Sequence, residues 1–248
     1  MALVSRVASR SFVCMLTADA GVEMPYIQRF PHAHILSAIT IASAAQPEHG
    51  LIKHNRWTRI QSGAYFGASV PKDLTPEQKK TLEMNETFIK LLKDAGGIKD
   101  AQVYSPAKLL LLRWHKIAIN ASMNPSAVLS GGTPNGVMAN DPELEIHLRG
   151  VMDEVLETAP KIVGAPFPAD FATSEALIKS TQKNTSGSKP SMLIDWEDGK
   201  TMELEVILGN PIRIAREMGY EMPRLQTLYA LLKMAQTNRD QKKKQSKL

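Results

Sequence analysis

The stretch that decides the fold of the second half of this chain is Leu109-Leu-Leu-Leu-Arg-Trp-His-Lys116-Ile-Ala-Ile-Asn120-Ala-Ser-Met-Asn124-Pro125. It predicts a long helix that is apolar on nearly every side. Lys116, Asn120 and Asn124 interrupt it at intervals of four, which places them on one stripe of the helix. Polar groups in an apolar helix cost free energy unless a polar partner faces them. The stripe therefore indicates a small polar ligand, either an anion or a carbonyl compound.

Two other interpretations of the stripe stay open at this point. The same spacing is explained by a lysine whose ammonium reaches solvent and two asparagines that are simply exposed. The pair Asn124-Pro125 is also typical of a helix break, because the residue before a proline disfavours the helical conformation.

Composition allows a globular core and narrows the range of partners. The chain has 248 residues, of which 43% are hydrophobic and 22% charged, as in ordinary proteins of one large or two modest domains. The net charge of +5 is concentrated in the lysine-rich end after Arg239, which we interpret as a solvated helix end. The rest of the chain is near neutral, so nucleic-acid binding is not predicted. No apolar run approaches the ~18 residues that span a bilayer, so no membrane span is predicted either.

The compartment is indicated by the cysteine count and by the first residues. Cys14 is the single cysteine, which excludes an intrachain disulfide and fits a reducing compartment such as the cytoplasm. Residues 1–18 contain Arg6, Arg10, several serines and no acidic residue, which is typical of a mitochondrial presequence. An ordinary helix or strand there, or the choice of chain start, also explains this composition. We therefore predict the cytoplasm, with the mitochondrion as the alternative.

The secondary-structure pattern divides the chain into a mixed part and a helical part. Strands are predicted at 34–43, 50–54, 57–62 and 101–104, with a helix at 75–95 that begins with Thr75-Pro76. From Ser105 onward the pattern is helical. After the long helix, the predicted helices cover 141–162, 168–183, 201–218 and 223–238.

Two further groups of residues are candidates for chemistry. The turn Gly131-Gly-Thr-Pro-Asn135-Gly136 follows the long helix and brings Asn135 toward the stripe, although alone it is only a loop. Ser191-Met-Leu-Ile-Asp195 and Glu203 follow a second loop. A serine there can donate to a carboxylate, whereas Glu203 is also explained as a charge that complements a helix dipole. The histidines lack carboxylate or cysteine companions at metal-ligand spacing, so no metal site is predicted.

Together these groups resemble ketopantoate reductase (2-dehydropantoate 2-reductase), with the fungal type most similar. The resemblance rests on Lys116-x3-Asn120-x3-Asn124-Pro125, Pro134-Asn135-Gly136, Ser191-Met192-Leu193-x-Asp195, Glu203 and Gly209. It covers the chain from about residue 22 to the C-terminus and is strongest over residues 107–232. The ordered set is specific, although no single member of it would be.

The resemblance implies an activity and a role for each matched residue. Family members reduce a 2-oxo acid with NADPH in a cleft between a Rossmann domain and a helical domain. Lys116 is then the general acid, and Glu203 contacts the cofactor and the substrate near it. The residues that hold the substrate are Asn120, Asn124, Asn135 and Ser191. The implied partner is a small 2-oxo acid, and a homodimer is compatible with the family.

The dinucleotide-binding half of the family pattern is mostly missing from the sequence. None of the fifteen glycines form Gly-x-Gly-x-x-Gly, and the residues before Gly21 are too few for a βαβ unit. Ala18-Asp19 stands where the family has Asn-Gly. We therefore expect an incomplete Rossmann-like domain at 1–104, the helical ketopantoate reductase C-terminal domain at 105–240 and a basic tail at 241–248.

The expected fold class is an α/β fragment, the remnant of a Rossmann-type sheet, followed by an all-α domain. That domain is of the ketopantoate reductase C-terminal type, which is 6-phosphogluconate dehydrogenase C-terminal-like. The expected function is NADPH-dependent reduction of 2-dehydropantoate to pantoate, in pantothenate biosynthesis, or of a related carbonyl intermediate. The alternative is a non-catalytic relative that serves as a binding or dimerisation module, including one recruited to a specialised pathway.

Overall fold

The computed structural model describes residues 12–16, 21–184, 187 and 189–245. The chain forms two compact units, Met1–Arg113 and Trp114–Leu248, and each is described by itself. The division falls inside one long helix, Pro106–Leu129, which is α3.

A mixed sheet organises the described part of the first unit. Its order is β1-β2-β3-β4, with β1 parallel to β2, β2 antiparallel to β3, and β3 parallel to β4. The strands are β1 (Phe12–Leu16), β2 (His34–Glu48), β3 (Leu51–Ala64) and β4 (Asp100–Val103). The segments 50–54 and 57–62, which were predicted as two strands, form the single strand β3. The reason is that β2 pairs with β3 along most of its length, with irregularities where two short stretches shift register.

Two helices complete the first unit. Helix α1 covers Met24–Arg29, which the sequence pattern did not predict, and α2 covers Pro76–Asp94 as predicted. Thr75 begins α2 with a capping box, because its hydroxyl accepts from the N–H of Gln78 and its own N–H donates to the Gln78 side chain. The apolar core of the unit includes fully buried Leu36 and Ile39 on β2.

The buried polar groups of the first unit bond largely to one another. Arg113 and Glu23 form an ion pair at 2.6 Å, with side chains only 3% and 0% exposed. Ser37 donates to Glu23 at 2.6 Å and accepts from Arg113. Tyr65 lies near this pair, and burial together with the Glu23 charge raises its pKa to about 12. Charged groups can stay in this interior because each has an oppositely charged partner.

The second unit is helical throughout its ordered elements. Helix α3 (Pro106–Leu129) leads into it from the first unit. The remaining elements are α4 (Asn135–Asn140), α5 (Pro142–Val163), α6 (Ser174–Gln182), α7 (Ser191–Glu197), a π-turn (Glu205–Gly209), α8 (Asn210–Glu217) and α9 (Pro223–Gln245).

Helix α5 shows why the sequence places these elements where it does. Asp141 caps its start by accepting from the N–H groups of Glu143 and Leu144 at 3.1 and 2.9 Å. Gly164 ends it in the left-handed conformation, with φ of 77°. Between them, apolar residues spaced by three and four positions, such as Leu148 and Val151, are completely buried.

Three helix boundaries differ from the predictions. Helix α6 begins at Ser174 rather than at 168, because Thr173 caps it and Phe167 and Phe171 before it pack against His115. The helix predicted from 201 begins only at 204 and includes the π-turn.

Helix α9 continues to Gln245, so residues 241–245 of the predicted basic tail form the exposed end of this helix. Residues 246–248 lie outside the described part. Arg239 stabilises this extension by donating to the carbonyl oxygens of Trp196 and Lys200.

Candidate active site

Helix α3 carries the predicted stripe and does not break at Pro125. The interpretation of Asn124-Pro125 as a helix break is therefore wrong. A proline inside a helix leaves the carbonyl four residues earlier without its usual partner. Packing offsets this cost here, because residues 121–128 are all buried. The bond from the Ser126 hydroxyl to the Ser122 carbonyl, at 2.6 Å, adds a local contact around the proline.

The three stripe residues have unused hydrogen-bonding capacity. Lys116 and Asn120 are half-buried, and Asn124 is buried with 4% exposure. Their side chains make no hydrogen bond or ion pair with any residue that the structure describes. The interpretation with two solvent-exposed asparagines does not hold for Asn124. A side-chain amide without a described partner, on a residue this buried, is a group that a bound polar ligand can satisfy.

On the next turn of α3, by contrast, the polar side chain of Ser126 forms its hydrogen bonds within the protein. Ser126 lies 3.0 Å from Nε2 of His147, and its hydroxyl already donates to the backbone. Ser126 therefore accepts from the His147 ring. Burial, with a further contribution from the Arg224 charge, lowers the pKa of His147. These groups bind each other and are not available to a ligand.

Asn135 begins helix α4 directly after Pro134. Its Oδ1 atom is buried and has no hydrogen-bond partner among the described residues. The next residue is a glycine for a steric reason, since a Cβ at Gly136 would lie 2.5 Å from the carbonyl oxygen of Asn184. This close approach fixes the start of α4 and, with it, the unbonded amide of Asn135.

Ser191 begins helix α7, whereas the sequence placed it at the end of a loop. Its side chain is exposed. The turn that leads to Asn135 lies against the same helix, because a Cβ at Gly132 would be 3.6 Å from Glu197 Oε1 and 4.0 Å from Leu193 Cδ1. The elements that carry Asn135 and Ser191 are therefore neighbours.

Glu203 is exposed between the buried side chains of Met202 and Leu204. Its carbonyl accepts from the N–H of Ile207 at 3.2 Å, at the start of the helical segment that includes the π-turn. The sequence had placed Glu203 within the first turn of a regular helix. The structure instead places it just ahead of the helical segment.

All six predicted site residues belong to the second unit, and three of them share one face of α3. Asn135, Ser191 and Glu203 each lie at or just before the start of another helical element. Ala18 and Asp19, which replace Asn-Gly of the family pattern, lie outside the described residues. So does most of the segment interpreted as a presequence, 1–11 and 17–18.

The described residues lack two kinds of feature, a metal-binding cluster and a membrane-spanning helix. Among them, no three His, Cys, Asp or Glu side chains cluster in a way that could hold a metal ion. None of the helices in this part of the chain is both long enough and apolar enough to cross a membrane.

Sequence reasoning missed the residues that surround Glu203. Gln236 Oε1 accepts from the N–H of Met202 at 2.7 Å, and the Tyr229 hydroxyl donates to Glu205 at 2.5 Å. No local signal marks either residue, because each partner lies more than twenty positions earlier in the chain.

Comparison with known proteins identifies relatives of the chain. The chain is 30% identical over 214 residues to an uncharacterized protein of Saccharomyces cerevisiae, covering 84% of this chain and 55% of that protein. It is 27% identical over 233 residues to a 2-dehydropantoate 2-reductase of Nostoc, covering 92% of this chain and 66% of the relative. The chain thus spans about half to two thirds of the length of these relatives.

A solved structure gives the same picture of the fold. The 2-dehydropantoate 2-reductase of Methylococcus capsulatus superposes with a TM-score of 0.73 at 28% identity, over 94% of this chain and 68% of that one. Residues 108–236, which carry all six site residues, match the family model for the ketopantoate reductase PanE/ApbA C terminal. The chain therefore belongs to the ketopantoate reductase family.

Proposed function

We propose that this chain supplies the acid-binding and proton-donating part of an NADPH-dependent 2-oxo-acid reductase of the ketopantoate type. The observation that carries the proposal is the set of polar side chains on α3 without a described partner, above all that of Asn124, a residue only 4% exposed. A bound 2-oxo acid would satisfy these groups and remove the cost of burying them.

The chemistry of the six residues suits such a substrate. Amide and hydroxyl groups of the kind that Asn120, Asn124, Asn135 and Ser191 provide can bond both a carboxylate and a neighbouring oxygen. Reduction of a ketone places negative charge on its oxygen, and a positioned ammonium both stabilises that charge and donates a proton. We assign this role to Lys116. Glu203 is assigned the contact with the cofactor and the substrate.

The residues present fit the acid substrate but not the pyrophosphate of the cofactor. NADPH supplies a hydride when it is bound, and the family holds its pyrophosphate with Gly-x-Gly-x-x-Gly at a helix N-terminus. No two glycines of this sequence are spaced i, i+2, so it offers no such cradle. The described residues fit the acid and not the pyrophosphate, and we assign no hydride step to them.

The proposal is tested by titrating the full chain with pantoate or ketopantoate in a calorimeter. We expect saturable binding that weakens by about tenfold in Lys116→Ala, since one charge-assisted hydrogen bond is worth roughly 1.5–3 kcal/mol. Lys179→Ala is the matched control, because Lys179 is exposed and pairs with Glu175. Absence of binding by the wild-type chain would refute the proposal.

A second candidate is a non-catalytic relative that keeps the helical unit as a binding or dimerisation module. The observation that favours it is the missing glycine pattern. Oxidation of NADPH in the presence of ketopantoate, followed by absorbance, separates the two candidates. Turnover would eliminate the second candidate, whereas pantoate binding without NADPH binding or turnover would support it.

Three broader parts of the proposal need their own measurements. A screen of 2-oxo acids decides between ketopantoate, in pantothenate biosynthesis, and a carbonyl intermediate of a specialised pathway. Sedimentation velocity tests the homodimer. Imaging of the chain with a C-terminal fluorescent tag tests the proposed cytoplasmic location against the mitochondrial alternative.

A further inference from the structure

Helix α9 makes hydrogen bonds to the chain on both sides of Glu203, to a backbone N–H before it and to a side chain after it. Before it, the N–H of Met202 donates to Gln236 Oε1 at 2.7 Å. After it, Glu205 Oε1 accepts from the Tyr229 hydroxyl at 2.5 Å. Tyr229 and Gln236 are seven positions apart, which places them two turns apart on one face of α9. Glu203 is thus bracketed by two contacts to the same helix.

The π-turn lets Glu205 make a third contact. The N–H of Asn210 bonds to the carbonyl of Glu205, five residues back, which widens this turn. The Glu205 carboxylate folds over the turn and binds Arg213 at 2.7 Å. A Cβ at Gly209 would lie 2.7 Å from Glu205 Oε2, so a larger residue there would displace this carboxylate. A wide turn and a missing side chain together allow the carboxylate to reach both Arg213 and Tyr229.

The charges around Glu205 keep this arrangement in place at neutral pH. The Tyr229 hydroxyl, and then the Arg213 guanidinium, hold the pKa of Glu205 below its ordinary value. Lys233 donates to the Tyr229 oxygen at 3.1 Å and lies 3.9 Å from the carboxylate. The side chains around Glu205 are exposed, so each contact alone is weak. Gln236, Tyr229 and Arg213 together restrict the segment 202–205.

We propose that Tyr229 and Gln236 of α9, together with Arg213 of α8, are positioning residues that fix the backbone of Glu203, and we call these three residues the α9 clamp. The inference rests on the proposed function, because the role of Glu203 at the substrate comes from it. The α9 clamp touches neither substrate nor cofactor. It acts by limiting the directions in which the Glu203 carboxylate can point.

Amide hydrogen exchange tests the α9 clamp directly in the full chain. Tyr229→Phe removes one hydroxyl and keeps the ring. We expect the N–H of Ile207, which bonds to the Glu203 carbonyl, to exchange about fivefold faster, because one net hydrogen bond is worth roughly 1 kcal/mol. Tyr220→Phe is the matched control and should leave this exchange unchanged. Equal exchange in wild type and Tyr229→Phe would overturn the proposal, whatever the acid binding.

A double-mutant cycle tests whether the α9 clamp acts through Glu203. Pantoate affinity is measured for wild type, Tyr229→Phe, Glu203→Gln and the double variant. We expect Tyr229→Phe to weaken binding several-fold and to add nothing once Glu203 is replaced, since coupled residues are not additive. Fully additive losses would overturn the positioning role. If wild type binds no pantoate, the proposed function fails together with this role, and the exchange experiment still decides whether the clamp exists.

Discussion

Two groups of buried polar residues, Glu23 with Arg113 in the first unit and Asn124 with Asn135 in the second, differ in whether a protein partner faces them. In the first unit, Glu23 and Arg113 are almost completely buried but neutralise each other at 2.6 Å. In the second unit, Asn124 and the Oδ1 atom of Asn135 are buried without a described partner. Polar groups that bond to one another define a fold, whereas groups left unbonded destabilise the free protein. The difference teaches that a charged pair limits the cost of burial even where Glu23 Oε2 and Arg113 Nε lack described partners, whereas the two asparagines leave a cost that a ligand can remove.

The largest effect is expected from Arg113→Met, which leaves the Glu23 carboxylate buried and unpaired. We expect a loss of about 3–5 kcal/mol in the free energy of unfolding, measured by urea denaturation. Replacing both partners, in Glu23→Leu/Arg113→Met, should recover most of that loss, because a buried apolar pair is often as stable as a buried ion pair.

The Arg59–Asp100 pair is the control for this prediction. Its atoms are also 2.6 Å apart, but its side chains are 42% and 33% exposed. Arg59→Met should therefore cost less than about 1 kcal/mol. Equal losses in Arg113→Met and Arg59→Met would show that burial does not distinguish the two pairs.

The next effect concerns the backbone that holds Asn135. Gly136→Ala brings a Cβ against the Asn184 carbonyl oxygen, and we expect a loss of about 1–3 kcal/mol in unfolding free energy. Pantoate affinity should fall as well, because the start of α4 must move. Gly150→Ala is the control, since its Cβ would meet only the mobile end of Arg224. A loss of stability in Gly150→Ala of the same size would contradict this explanation.

Two buried asparagines give the sharpest test of the comparison. Asn85 in the first unit is 1% exposed and bonds to both the hydroxyl and the carbonyl of Ser62, at 2.6 and 3.0 Å. Asn85→Leu should cost about 1–3 kcal/mol, because Ser62 loses its partner. Asn124→Leu should change stability by less than about 1 kcal/mol, in either direction, and weaken pantoate binding at least about tenfold.

Urea denaturation and calorimetric titration of both variants check this pair of expectations. A large loss of stability in Asn124→Leu would mean that its amide is bonded within the protein. Asn124 would then bond within the protein in the same way as Asn85.

Elements with local signals were predictable from the sequence. Helix α2 follows from the Thr75 capping box, and α5 follows from its Asp141 cap. The start of α6 was not predictable, because contacts of Phe167 and Phe171 with His115 keep the preceding residues out of the helix. Such contacts join residues about fifty positions apart, and a local pattern cannot contain them.

The candidate site was predictable only as far as spacing carries information. Intervals of four residues placed Lys116, Asn120 and Asn124 on one face, and the structure has them on one helix. That Asn124 is buried and unbonded depends on the packing of other helices. The Glu23–Arg113 pair was not predicted, since its members lie 90 positions apart on different elements, and the only signal is a charged residue within a run of leucines.

The smallest effect is a pH dependence of stability from His147, which bonds to Ser126 in the second unit. Burial and the Arg224 charge lower its pKa in the folded state below the ordinary 6.5. The unfolded chain therefore binds more protons than the folded one as pH falls through this value. Stability should be constant above about pH 6.5 and decrease below it. Urea denaturation at about pH 7.5 and 5.5 measures this, and the decrease should be smaller in His147→Gln.

Pantoate affinity separates this contact from the unbonded stripe on the same helix. Ser126 and His147 bond to each other, so His147→Gln should leave the affinity unchanged near neutral pH. A loss of affinity comparable to that of Asn124→Leu would place His147 among the groups that bind the ligand. The polar groups of α3 that bond within the protein would then no longer be separated from those that bind the ligand by adjacent turns of the helix.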